Sequence, residues 1–287
     1  MGESPTSLKR YLGAQLRQLR VAAGLKPVDV MEELACSRSK VTKIERGQVG
    51  IREKELEALL RLYKAEPDLA AGLVEVAREA RKRGWWASEN LTSSVPPFFR
   101  TFIGLEASAE EIWTYQSELV PGLLQTEAYS RAVVNAVSPN LDVIEVERRL
   151  KVRKQRQARL IGLSPPRIVA VVNEGVVREV IGGPEVMREQ LRFLIDIQKE
   201  IPVEVRVKPF AAGAHPVIGF NFVVLRDHDH DEPTTVYVDG LTKADYLDAA
   251  TDPQDLAIYT EAFERLRTVA LPADESRTLI ASVMADL

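Results

Sequence analysis

The chain has 287 residues, 45% of them hydrophobic, with one cysteine, three histidines and a net charge of −4. That length exceeds a usual single domain and that apolar content is ample for a core, so two folded domains are expected rather than a disordered chain. Cys36 alone excludes an intramolecular disulfide and any multi-cysteine metal centre, and the few histidines leave little for a histidine-rich one. The longest apolar runs, residues 168–172 and 220–225, fall far short of the roughly 20 residues that span a bilayer. Residues 1–10 lack the apolar core of a secretory leader, and a cytoplasmic protein is expected. The net charge hides an asymmetry: residues 1–64 hold 13 Lys and Arg against 8 Asp and Glu, and the remainder holds 25 against 34. A basic head on an acidic body predicts that the head meets a polyanion.

The head reads as short helices. Leu8, Leu12, Leu16 and Leu19 form the stripe of the first, which Gly24 closes. Pro27 suits the opening turn of the second, whose Val30, Met31 and Leu34 face inward. Cys36 falls in the turn that follows, as a small half-buried residue. Ser37 caps a third helix whose Val41 and Ile44 form its buried edge and which ends at Gly47. A fourth, residues 52–64, carries Leu56, Leu59, Leu60 and Leu62 and stops before Pro67. A fifth, residues 69–83, is read as a connector. The boundary is placed in residues 85–97, where Asn90, two serines and the Pro96-Pro97 pair break the pattern.

In the body, helical segments at 126–136, 143–160, 184–198, 255–269 and 275–285 mix with strand-like runs at 112–119, 167–173, 203–207, 220–225 and 235–238. The expected fold class is therefore multidomain, an N-terminal all-α domain followed by a mixed α/β (α+β) domain with about five strands. The expected domains are 1–66, a helical connector and linker at 67–97, and 98–287.

A recognition helix needs one face packed on its partner and polar or basic residues near its N-terminus to reach base edges. With Val41 and Ile44 inward, Arg38, Ser39, Lys40, Thr42 and Lys43 turn outward and are the expected base readers, Lys40 serving a base or a phosphate. Arg17, Arg20, Lys26, Arg46 and Arg52 flank them and are expected at phosphates. The run from Leu25 to Gly47, above all Ser37-Arg38-Ser39-Lys40-Val41-Thr42-Lys43-Ile44-Glu45-Arg46-Gly47, resembles the XRE family of Cro and lambda-repressor type domains. Pro27 replaces the Gln usual there, Met31 a small Ala, and Ala35 the Gly often found in the turn. The resemblance implies a lambda-repressor-like helix-turn-helix head, a homodimer, and a near-palindromic DNA operator.

In the body, Glu118 to Tyr129, Val186 to Leu191 and Pro209 to Pro216 are similar to the C-terminal domain of streptomycete XRE regulators of the WhiJ-like class. That likeness implies an actinobacterial transcriptional regulator, with a repressor as the expectation, acting at the nucleoid. It also implies a C-terminal domain that binds a small-molecule effector or a small protein encoded nearby, with no catalysis and no cofactor. The alternative is an antitoxin-like protein that sequesters such a partner and autoregulates its own operon. Tyr129, Arg153, Arg156, Phe210 and His215 are the expected ligand or partner contacts.

Other features have blander readings beside their functional ones. Val120-Pro121-Gly122 reads as a turn leaving a strand, and the 210–219 loop either lines a binding site or only connects strands. His215, without a cysteine or serine motif, reads as a hydrogen-bonded loop residue rather than a catalyst. Asp227-His228-Asp229-His230-Asp231 reads as a solvated hairpin loop, since adjacent residues cannot all converge on one ion. The helix at 143–160 carries Arg148, Arg149, Lys151, Arg153, Lys154, Arg156 and Arg159, either a solvated face or a dock for an acidic ligand, the acidic body or DNA. Trp85, Trp86, Phe98, Phe99 and Phe102 either cement domains or a dimer, or wall a hydrophobic pocket. No nucleophile elbow, phosphate-binding glycine loop or zinc pair is evident, so no enzyme is expected.

Overall fold

The computed structural model describes residues 4–82, 95–162, 164–227, 234–240 and 242–287. The chain divides into two compact units, Met1–Ser88 and Glu89–Leu287. Trp85, Trp86, most of the 85–97 boundary and residues 228–231 of the acidic histidine run lie outside the described residues.

The first unit holds α1 (Pro5–Ala22), α2 (Pro27–Glu33), α3 (Arg38–Glu45), α4 (Glu53–Leu62) and α5 (Pro67–Glu79). Each start has a local cause. Ser4 accepts from the Ser7 amide at 3.1 Å, Ser37 accepts from the Lys40 amide at 3.3 Å, and prolines open α1, α2 and α5, where the missing N–H costs nothing. The helices enclose one core built on Leu16, Val30, Val41, Ile44, Leu56 and Leu59.

Residues 67–79 are no connector. Leu73 and Ala77, four apart on α5, are 1% and 3% exposed in that same core, and Arg78 reaches from α5 to Glu53 of α4 at 2.9 Å. A helix that buries its apolar stripe this way is a wall of the head, and the head extends past residue 66.

The second unit is a six-stranded mixed sheet in the order β3-β2-β1-β4-β5-β6. The strands are β1 (Glu111–Gln116), β2 (Arg167–Asn173), β3 (Val203–Lys208), β4 (Phe222–Arg226), β5 (Thr235–Asp239) and β6 (Ala244–Asp248). Strands β1, β2 and β3 run parallel; β4, β5 and β6 complete the sheet with antiparallel pairings. The helices are α6 (Pro97–Glu106), α7 (Glu127–Val137), α8 (Val143–Gln157), α9 (Glu174–Arg178), α10 (Pro184–Glu200), α11 (Pro253–Val269) and α12 (Ala273–Ala285).

Alternation along the strands makes two cores. On one face Ile112, Ile168, Val205 and Leu225 pack with Phe102 of α6, Leu191 of α10 and Ile280 of α12. On the other, Tyr115, Val169, Val224 and Val236 pack with Leu256, Phe263 and Leu266 of α11. The result is helix, sheet and helix in layers. The sheet has one strand more than the five sequence runs: β6, an edge strand with acidic residues at 245 and 248, lacks a continuous apolar signature. The Pro96-Pro97 pair, expected in a linker, instead opens α6, with Pro97 in its first turn.

Candidate functional site

In the head, α2 and α3 are joined by a tight turn at Ala35, whose φ of 45° is left-handed. The Cys36 amide donates to the Met31 carbonyl at 3.0 Å and the Ala35 amide to Glu32 at 3.3 Å, which closes α2 and sets α3 off in a new direction. Cys36 is half-buried there, as expected. On α3, Val41 and Ile44 are buried while Arg38, Ser39, Thr42 and Lys43 stand exposed on the opposite side. The Thr42 hydroxyl donates to the Arg38 carbonyl at 3.1 Å, which fixes its rotamer.

Two expected DNA contacts have partners inside the head. The Lys40 ammonium donates to Glu55 of α4 at 2.7 Å, so Lys40 ties α3 to α4 in the free head while its side chain stays 40% exposed. Arg20 is 7% exposed, forks onto both Glu45 oxygens, and gives a third bond to the Leu25 carbonyl at 2.9 Å. A guanidinium so enclosed cannot reach a phosphate. Lys26, Arg46 and Arg52 are exposed and Arg17 is half-buried.

In the body, a cavity of about 220 Å³ opens between the sheet, α6, α8 and the 119–125 loop. Arg153 and Arg156 of α8 both line it, as do Glu106, Gln125, Phe99 and Phe102. Arg156 forks onto Glu106, Nε to Oε1 and Nη2 to Oε2 both at 2.7 Å, and lies over the rings of Phe99 and Phe102 at 5.1 and 5.5 Å. Burial works against the Arg156 charge, and Glu106 more than restores it, leaving its pKa raised. Arg153 has no such partner among the described residues. Its guanidinium donates to the Gln125 side-chain oxygen and to the Ser130 hydroxyl, both neutral. Burial, and then the Arg156 charge, push its pKa down to about 10.

A family described as "Domain of unknown function (DUF5753)" matches residues 99–282, and a family described as "Helix-turn-helix domain" matches residues 11–73. The chain belongs to the DUF5753 family. Its head carries a helix-turn-helix domain, the fold of many DNA-binding regulators, and the match to residue 73 agrees with α5 as part of that head. No curated protein and no solved structure matches the chain. No helix among the described residues is long and apolar enough to cross a membrane.

The DUF5753 domain does not bring the five expected ligand residues together. Tyr129 is fully buried, and its hydroxyl accepts from the Val120 amide at 3.3 Å, so it pins the turn after β1 and does not line the cavity. Phe210 and His215 do not line it either. Phe210 is 57% exposed in the turn after β3, its amide held by Glu174 at 2.7 Å. His215 meets the hydroxyl of Tyr115, a residue of the opposite core, at 3.1 Å. Of the aromatic group, Phe99 and Phe102 wall the cavity.

Glu106 and Gln125 were not anticipated as site residues. A signal for Glu106 was present: a carboxylate closing the apolar run Phe102-Ile103-Gly104-Leu105 on a helix is costly unless a cation meets it.

Proposed function

We propose that this chain is a dimeric, sequence-specific transcriptional regulator, acting as a repressor, whose DUF5753 domain senses a small-molecule effector. The carrying observation is the face of α3: Arg38, Ser39, Thr42 and Lys43 exposed together on a helix anchored by Val41 and Ile44 and capped by Ser37. Arg and Lys donate to guanine O6 and N7, and Ser and Thr adapt to either base class. As a Cro-like dimer, the protein reads two half-sites about one helical turn apart on a near-palindromic operator. The actinobacterial, WhiJ-like class and a cytoplasmic, nucleoid-associated setting belong to this reading, as does the absence of enzymatic activity. The cavity beside Arg153 supports the sensing role, because a preformed pocket that sets polar groups against aromatic and aliphatic walls is how small effectors are held.

The test is genome-wide immunoprecipitation of the wild type beside Arg38→Ala plus Lys43→Ala. Discrete peaks over a near-palindromic motif that vanish in the double variant are expected. Peaks that persist unchanged would remove α3 as the reading helix.

A further inference from the structure

The charged walls of the cavity of the DUF5753 domain balance in number but not in pairing. They are Glu106, Arg153, Arg156 and Asp239. Glu106 and Arg156 neutralise each other in a closed fork. Asp239 is exposed and accepts from the Tyr237 hydroxyl at 2.8 Å. Arg153 is left over: no carboxylate among the described residues pairs with it, and the groups it meets, Gln125 and Ser130, carry no charge. A guanidinium presents several N–H donors in a plane, and those two oxygens engage only its Nη1.

Resting on the sensing role proposed above, we propose that Arg153 anchors the carboxylate of a small organic monoanion, whose apolar body fills the space between α6 and the sheet. The planar fork matches a carboxylate, and Arg153 is a single cation with no carboxylate paired to it among the described residues, so a monoanion suits it. A phosphate dianion would place a second negative charge beside Glu106, which costs rather than gains. The body of the ligand is largely apolar because Phe99, Phe102, Ile112, Leu119 and Leu123 form much of the wall, with Thr114, Gln116 and Asn221 as neutral polar groups among them. At about 220 Å³ the cavity lies below the roughly 300 to 1,000 Å³ of drug-sized sites, which restricts the ligand to a small acid.

Isothermal titration of the full chain with hexanoate, benzoate, phenylacetate, neutral benzamide and inorganic phosphate tests this. At least one carboxylate is expected to bind, with benzamide weaker than benzoate by roughly ten- to a hundredfold, the worth of a charge-assisted hydrogen bond. Arg153→Gln should erase that margin, and Arg153→Lys, which keeps the charge without the fork, should retain part of it. Benzamide or phosphate binding as well as the acids, or undiminished acid binding by Arg153→Gln, would overturn the assignment. So would the absence of heat from all three acids at roughly 10 mM, a concentration that detects millimolar affinity. DNA binding by the same preparations is measured separately: acid binding that leaves operator affinity unchanged removes the sensing role and keeps the site, whereas intact DNA binding without acid binding removes the site alone.

Discussion

Arg20 of α1 and Glu45 of α3 close a two-pronged ion pair, Nε to Oε1 at 2.6 Å and Nη2 to Oε2 at 3.0 Å. The hydrogen bond to Glu45 is the main reason the Arg20 guanidinium holds its proton more tightly than usual. The pair joins the long first helix to the last turn of α3, and the third bond, to the Leu25 carbonyl, brings in the entry to α2. One basic residue of the head thus sets the pose of α3 rather than touching DNA.

Arg20→Ala should therefore act on folding, and Arg38→Ala on recognition. Removing one partner of a pair this enclosed strands the other, at a cost of about 3 kcal/mol. Urea denaturation should show that loss for Arg20→Ala, while exposed Arg38→Ala stays within about 0.5 kcal/mol of wild type. Operator affinity should fall by about 1 to 3 kcal/mol for Arg38→Ala, with relaxed preference at one base position. A stable Arg20→Ala protein with weakened DNA binding would reverse the two roles.

Arg46 and Arg52, both exposed beside α3, are the phosphate contacts the proposed function expects. Each neutralised phosphate releases counterions, so log affinity falls with log salt by about 0.9 per contact. Arg46→Ala and Arg52→Ala should each flatten that slope by about that amount and weaken specific and random duplexes alike. Fluorescence anisotropy across a salt series reads this directly, and an unchanged slope would place the residue off the backbone.

The helix ends of the head allow a paired experiment. Helices α2 and α3 close in the same way, with amides donating back across the turn, but the left-handed position is Ala35 in one and Gly47 in the other. Ala35→Gly relieves the Cβ strain and should raise stability by about 1 kcal/mol. Gly47→Ala should lower it by more than that same step, because a Cβ there would stand 2.5 Å from the Arg10 Cα as well. Thermal denaturation of the two variants should move in opposite directions; a common direction would refute the shared turn.

How much of this was legible beforehand follows from how local each cause is. Ser37, Pro27 and Gly47 act within a turn of themselves, so the head's helices could be read off their neighbours in the chain. Strand β6 could not, because an edge strand with Asp245 and Asp248 needs only half its residues apolar. The two prolines at 96 and 97 signal both a linker and a helix start, and only the packing of Phe102 and Leu105 decides between them. The cavity was legible only in pieces. Arg153 and Arg156 sit in a run of similar basic residues, and what separates them from the solvated ones is Glu106, 50 residues from Arg156 in the chain, together with the Gln125 loop. Tyr129 and His215 were drawn in by their motifs, yet their partners, the Val120 amide and Tyr115, give them supporting roles outside the cavity.

The His215 imidazole supplies a pH-dependent element of the body's stability. Burial, and then the Lys208 charge, hold it below the ordinary value near 6.5, while Tyr115 meets its Nε2. The folded state therefore favours the neutral ring, and the unfolded chain binds the extra proton first as pH falls. The contribution is present in full above the ordinary value and is lost as pH drops towards the folded one, so stability declines with acidification through that window. Urea midpoints measured at about pH 7.5 and about pH 5, on either side of the free imidazole value, should differ more for the wild type than for His215→Asn. The variant should also be less stable than wild type at the higher pH, since it breaks the Tyr115 contact in a core position. Equal pH slopes for the two proteins would mean that His215 takes up its proton as readily folded as unfolded, and that the burial of its ring has no electrostatic consequence.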